Sequence, residues 1–426
     1  MKELIRAATT PIHANITLPG SKSMTNRALL LAALADGVSE ISGILLSEDT
    51  RAFLDALRHL GIIIQLDEAN HSCIIGGGSG RFPKKEASIW CADAGTAARF
   101  LLAAAASMPG IYHFDGSEQL RKRPIAPLLK TLCMQGARIL SENTSHMPFT
   151  LQGVPGLQGG DIDIDASKSG QFISALLMAA PFAQTPMTIT AHDLVSHPFI
   201  DMTCAMMAQF GVLVRRLHHL KFHIPTPQRY VARDYTIEPD LTTASYFFAA
   251  AAVTNGSITL PLINRHTTLQ GDIKFLQLLE KMGCSVSQTE TELTVKGTDT
   301  LEGISVDMND CSDTFMTLAA IAPFAKTPTR ITHIAHTRAQ ESDRISVMKQ
   351  QLEKIGIKAE EGEDWIRIYP GTPQIGVIDS HHDHRIAMSF SLIGLKVPGI
   401  EIDHAECVAK TCPDFFERWR KLSTAY

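Results

Sequence analysis

Apolar and polar positions along this chain recur as a repeated unit. Six small, Ala-rich apolar runs read as helices with little polar face: RALLLAALADG from Arg27, TAARFLLAAAASMPG from Thr96, SGQFISALLMAAPFA from Ser169, TTASYFFAAAAVTNG from Thr242, SDTFMTLAAIAPFA from Ser312 and HRIAMSFSLIGLKVPG from His384. A Gly or Pro turn ends each run, and a short alternating segment such as SITL or TRIT, read as a strand, follows some of them. A more polar helix comes next. In the first five units it closes on Gly61, Gly136, Gly211, Gly283 or Gly356, where glycine reads as a C-cap, and another strand follows. The unit recurs about six times, with a period of roughly 70 to 75 residues.

Six βαβαββ-like units in two sets of three predict an α/β protein with two pseudo-threefold domains, the sets meeting near VARDYTIEPD, Asp234 to Asp240. Ser, Thr or Asp lies at or just before most of the first helices and predicts N-caps. The same helix starts can present backbone N–H groups to an anion. The Ala-rich stretches fit close helix packing as well, and both roles are expected together. The periodicity alone leaves open which set the N-terminal strand, about residues 1 to 19, joins.

Composition narrows the function classes. The chain has 426 residues, 45% hydrophobic and 19% charged, enough for a large core and more than one domain. A net charge of −5 and a pI near 6.4 argue against nucleic acid or an acidic membrane as partner, so an anionic ligand has to be held locally. The N-terminal stretch MKELIRAATTPIHANITLPG has no apolar core of signal-peptide length, and no apolar run is uninterrupted enough to span a bilayer, which predicts a cytoplasmic protein. Eight scattered cysteines without CxxC pairing predict free, mostly buried thiols.

The candidate chemistry begins at LPGSKSMTNRALLLAA, where Lys22, Ser23 and Arg27 surround a Gly-Ser turn at a helix start. Alone, Lys and Ser before a helix usually form a solvated cap. Four further segments change that weighing: DAGTAARF from Asp93, RKRPIAPLL from Arg121, SKSGQF from Ser167, and ESDR from Glu341 together with HHDHRIAMSF from His381. NDCSDTFMTLA around Asp313 and AKTCPDFFERW around Lys410 complete the set. The adjacent His381, His382, Asp383 and His384 suggest a metal, yet neighbours that close rarely all face one ion, and no remote Cys or His set completes a tetrahedron.

With these motifs in order over essentially its whole length, the chain resembles the shikimate branch of the enolpyruvyl transferases. The resemblance implies a two-domain, inverted α/β barrel-like fold with the active site in the interdomain cleft. It places residues 1–19 and 240–426 in one discontinuous domain and 20–239 in a second, inserted one. It implies transfer of the enolpyruvyl group of phosphoenolpyruvate to the 5-hydroxyl of shikimate 3-phosphate, with no cofactor, no metal and a monomer as the working form. By the same resemblance Lys22, Ser23, Arg27, Ser169, Gln171, Ser196, Asp313 and Gln340 meet shikimate 3-phosphate. Lys22, Gly95, Arg123, Gln171, Arg344, Arg385 and Lys410 form the phosphoenolpyruvate pocket. Asp313 is expected at the 5-hydroxyl and Glu341 at the methylene carbon, with Lys22 assisting; an N-cap role for Asp313 can coexist. Asp383, His384 and Arg385 line the pocket, and His381 and His382 are loop residues.

Five positions depart from the family pattern: Gln340 for a lysine, His336 for an asparagine, Gly170 for a second serine, Asp93 for Asn and Phe100 for Pro. Asp93 beside anions calls for a cap or cation partner. The nearest alternative, a UDP-N-acetylglucosamine enolpyruvyl transferase, typically carries a loop Cys that RKRPIAPLL lacks. A non-catalytic binder of a phosphorylated metabolite would gain nothing from Asp313 and Glu341.

Overall fold

The computed structural model describes residues 1–142 and 144–422. The chain divides into two compact units, Gly20–Ile237 and Met1–Pro19 with the chain from Glu238 onward. Each unit is built from three small sheets and three central helices.

In the Gly20–Ile237 unit the central helices are Lys22–Leu34, Gly95–Ala106 and Gln171–Ala179. All twelve residues of Gly95–Ala106 are buried. A helix buried on every side needs no polar face, which explains the unpatterned Ala-rich run, and the small side chains let neighbouring helices approach. Its sheets share one plan. Glu86–Trp90 runs parallel to Gly110–Asp115, which pairs antiparallel with Phe149–Gly153, and Arg138–Ile139 takes the edge. Gly160–Asp165, Met187–His192, Lys221–Ile224 and Arg215–His218 repeat the order. In the remaining sheet the parallel strand beside Val38–Ser42 is Tyr235–Thr236, from the far end of the unit.

The other unit packs Leu241–Thr254, Phe315–Ile321 and His384–Lys396 against one another. Its N-terminal segment supplies two strands: His13–Asn15 lies parallel to Ser257–Pro261, and Lys2–Leu4 antiparallel to Ile400–Asp403. Gly376–Asp379 runs parallel to Ile400–Asp403 with Asp379 opposite Asp403.

The five glycines that close the polar helices all adopt positive φ, from 81° at Gly356 to 106° at Gly136, the conformation a C-terminal cap requires. The capping expectation holds only in part. Asp240 and Asp383 cap their helices through side chains, whereas Ser21, Ala94 and Gly170, which occupy the N-cap positions of the Gly20–Ile237 unit, make no side-chain cap bond. The helix starts at Lys22 and Gly95 therefore keep their first N–H groups for another acceptor, whereas Gln171 N donates to Ser169 Oγ. The eight cysteines are free thiols, five of them buried and Cys133 exposed. Among the described residues no helix is long and apolar enough to cross a membrane.

Candidate functional site

Short turns at helix starts carry the predicted chemistry. Asp313 sits in the turn Asn309–Thr314, just before the helix Phe315–Ile321, whose N-cap is Thr314; the Asp313 carboxylate turns to arginines instead. Arg344 opens the helix Arg344–Lys354, Arg385 is the second residue of His384–Lys396, and Lys410 ends the turn Ala405–Lys410.

These turns converge on Arg344, whose side chain is 1% exposed. Its Nε donates to Asp383 Oδ2 at 2.8 Å, Nη2 to Glu341 Oε2 at 2.8 Å, and Nη1 reaches Asp313 Oδ1 at 3.4 Å. Nη1 also donates to the amide oxygen of Gln340. Arg385 Nη2 donates to Asp313 Oδ2 at 2.8 Å, and Lys410 Nζ lies 3.1 Å from Glu341 Oε1. Three cations and three carboxylates thus share one network. Buried charges persist only when paired and hydrogen-bonded, and this set meets that condition internally. Burial opposes the charge on Arg385, yet Asp313, Tyr246 and Asp272 hold its pKa above the ordinary arginine value.

Two further groups belong to the unit that holds Arg344. His336 bonds through Nε2 to Ser312 Oγ at 2.8 Å, and burial pulls its pKa down to about 4, so at neutral pH it offers an uncharged imidazole. Asp272 was not foreseen. It is buried in the turn Gly271–Lys274, accepts from Thr242 Oγ1 at 2.8 Å through Oδ2, and leaves Oδ1 without a partner. Burial, then the charge of Asp313, raises its pKa to about 7. A single acid in LQGDIKF carries no motif, so no local signal marks it.

In the Gly20–Ile237 unit, Lys22 Nζ lies 3.4 Å from Asp49 Oδ2. Arg27 is more deeply buried than a ligand contact implies, at 2% exposure. Its Nε donates to Thr203 Oγ1 at 2.7 Å, Nη1 to the Ser23 carbonyl at 2.9 Å, and Nη2 to Ser174 Oγ and the Phe199 carbonyl at 3.2 Å each. Phe100 stacks on the guanidinium at 5.1 Å, which gives that departure from proline a packing role. All these partners are uncharged, and burial lowers the pKa of Arg27 to about 9. Four of its five N–H groups are used, so it acts mainly as a fixed positive charge.

Gly95 begins its helix against two guanidinium groups. A Cβ there would lie 2.9 Å from Arg99 Nη1 and 3.0 Å from both terminal nitrogens of Arg123, so a side chain at this position would push both guanidinium groups aside. Arg99, buried in the apolar run, was not foreseen either; a lone charge inside TAARFLLAAAA is the signal that marks it. Asp93 accepts from the Ser117 hydroxyl, while Ala94 takes the cap position. Gln171 N donates to Ser169 Oγ at 3.2 Å, and the buried Gln171 Oε1 has no partner. Ser196 is the left-handed N-cap of His197–Gln209. Gly170 lies 2.8 Å, as a would-be Cβ, from the Val195 carbonyl, which a serine there would press against.

The adjacent histidines diverge. His384 is buried beside Asp383, with Nδ1 3.6 Å from Oδ1, whereas His381 Nε2 lies 3.8 Å from Asp379 Oδ2 and the His382 ring stacks on His404.

A six-sheet α/β chain with arginines, lysine and carboxylates gathered at helix starts is built to handle small anionic substrates. The family model described as EPSP synthase (3-phosphoshikimate 1-carboxyvinyltransferase) matches residues 7–419, and the chain belongs to that family. It is 44% identical over 420 residues to the 3-phosphoshikimate 1-carboxyvinyltransferase of Trichormus variabilis, covering 98% of each chain. The Vibrio campbellii protein of that name is 40% identical over 429 residues, covering 99% of this chain and all of that one. Among solved structures, EPSP synthase from Acinetobacter baumannii superposes with a TM-score of 0.84 at 28% identity, covering 99% of this chain and 98% of that one. The enolpyruvyl transferase NikO from Streptomyces tendae, at 18% identity and a TM-score of 0.76 over 99% and 97% of the two chains, shares the fold.

Proposed function

We propose that the Arg344 network carries the family's reaction in this chain, the joining of phosphoenolpyruvate to the 5-hydroxyl of shikimate 3-phosphate with release of phosphate. The observation that carries this reading is the single buried guanidinium of Arg344 shared by Asp313 and Glu341, which fixes two carboxylates for two proton transfers. Asp313 takes the 5-hydroxyl proton as the oxygen bonds to C2 of phosphoenolpyruvate and later passes it to the departing phosphate, and Glu341, entering the step as its carboxylic acid, delivers a proton to the methylene carbon. The resulting tetrahedral adduct loses phosphate as Glu341 recovers a proton from the new methyl group. Lys22 assists this exchange, and Lys410, 3.1 Å from Glu341, keeps the carboxylate poised.

Arg123, Arg344, Arg385 and Lys410, with the Gly95 amide, hold phosphoenolpyruvate, and Gln171 contributes to both ligands. Lys22, Ser23, Ser169, Ser196, Asp313 and Gln340 meet shikimate 3-phosphate, with Arg27 as the charge beneath them. Uncapped helix starts at Lys22 and Gly95 support anion binding in the Gly20–Ile237 unit. The single chain is the working unit, in the cytoplasm.

The test is phosphate release from phosphoenolpyruvate by the purified chain with a chelator present. Release should require shikimate 3-phosphate. Release with UDP-N-acetylglucosamine instead would overturn the acceptor assignment.

A further inference from the structure

His382, His404 and Glu406 bring one ligand atom each to within 4.8 Å of one another. Strand register explains the meeting. Gly376–Asp379 and Ile400–Asp403 run parallel with Asp379 opposite Asp403, so the loops leaving their carboxyl ends start side by side. One loop reaches His382; the other passes His404 into the turn that carries Glu406. Buried Ser380 ties the loops together, donating from Oγ to the His404 carbonyl at 3.4 Å. Both histidines adopt left-handed backbone, with φ of 56° at His382 and 54° at His404. Their rings meet at 3.9 Å between centroids, and His404 Nδ1 lies 3.8 Å from Glu406 Oε1. Glu406 Oε2 is held at 2.8 Å by the amino group of Met1.

We propose that His382, His404 and Glu406 form a binding site for a divalent transition-metal ion of the zinc class. Two imidazole nitrogens and one carboxylate are the donor types such an ion takes, and a three-ligand His2Glu set leaves a further position for water. Magnesium and calcium prefer all-oxygen shells, so the donor set selects against them. A tetrahedral ion bound at about 2.0 to 2.1 Å needs donors about 3.3 Å apart, so these side chains close by about 1.5 Å or less, a movement that rotamers of the exposed His382 and Glu406 allow. His382 is three residues before Arg385 and Glu406 four before Lys410, so the ion cross-links the two loops that carry those cations.

Calorimetric titration of the chelator-stripped full chain with zinc chloride should show one ion bound per chain. His382→Asn and His404→Asn keep a residue type that tolerates left-handed backbone. Each should weaken binding at least about tenfold, the low end of what losing even an outer-shell partner costs. Glu406→Gln should weaken it too, and circular dichroism establishes that each variant is folded. The His218 and His219 rings also approach to 3.9 Å between centroids, but among the described residues no third ligand joins them, so His218→Asn should leave the titration unchanged. Absence of binding, or binding that survives the His382→Asn/His404→Asn double variant, overturns the site. Because binding is read directly, the result is independent of whether the chain acts on shikimate 3-phosphate.

Discussion

The amide oxygen of Gln340 accepts a hydrogen bond from Nη1 of Arg344, four residues further on. A lysine at this position would bring a second cation to the same guanidinium. Gln340→Ala removes one of several acceptors around Arg344. A hydrogen bond to a charged group contributes about 1.5 to 3 kcal/mol, and the remaining carboxylates offset part of that, so kcat/KM should fall by about tenfold or less. Gln340→Lys should lower the urea midpoint through repulsion from Arg344 while keeping turnover with phosphoenolpyruvate. A Gln340→Lys chain more stable than the parent would show that the amide–guanidinium contact contributes nothing.

Glu341→Gln and Arg27→Lys should separate chemistry from binding. Glutamine cannot exchange a proton at the methylene carbon, so kcat should fall by about 10²- to 10⁴-fold with little change in KM. Arg27→Ala would empty a buried site and break four hydrogen bonds, which confounds folding with function. Arg27→Lys loses the fork and, where burial already pulls the arginine pKa down to about 9, holds its charge less firmly, so it should mainly raise KM for shikimate 3-phosphate. Steady-state kinetics with each substrate varied checks the split, and matching losses of kcat alone would show the two roles misassigned.

Asp383→Asn should destabilise the chain by about 2 to 4 kcal/mol. The Asp383 side chain is fully buried and accepts from Arg344 Nε and Nη2, from the Ser342 hydroxyl and from the Arg385 amide. Breaking a buried pair costs roughly 3 to 5 kcal/mol when it strands a charge, and Glu341 and Asp313 soften that here. Urea unfolding measures it, and a loss under about 0.5 kcal/mol would mean that Arg344 is held by the other carboxylates alone.

How much of this was legible in the sequence depends on whether the cause was local. The Ala-rich runs and the closing glycines are local, and they appear as the six central helices and the positive φ values. Arg344, Glu341 and Asp383 lie in motifs whose residue types already imply charge pairing. Burial of Arg27 was hidden, because Thr203 and Ser174 lie 176 and 147 residues away, and SKSMTNR reads as a cationic surface. Ser21 looks like a cap by composition, but whether its hydroxyl turns to the helix is a rotamer choice that the pattern does not encode. Asp272 gains its character from Thr242 and Asp313, and His382 meets His404 through strand register, so neither has a local signature.

Asp272 and His336 should oppose each other in the acid response of stability. The pKa of Asp272 rises from 3.8 to about 7 by burial, with Asp313 and Asp240 reinforcing it and Thr242 and Arg385 opposing it. Between about pH 7 and 4 the folded chain binds this proton and the unfolded chain does not, so its contribution grows as pH falls and is lost as pH rises through about 7. The pKa of His336 falls from 6.5 to about 4 by burial, with Arg344 adding to the fall and Asp313 opposing it. Here the unfolded chain takes the proton first, so stability is lost as pH falls from about 6.5 to 4. The two changes are opposite in sign over an overlapping pH window. The parent should therefore show a flatter profile across this window than either variant. Asp272→Asn should lose stability relative to the parent as pH falls from 7 to 4, and His336→Asn should gain it. Urea midpoints at half-unit pH steps decide the matter, and variant profiles parallel to the parent's would remove both groups from the acid response.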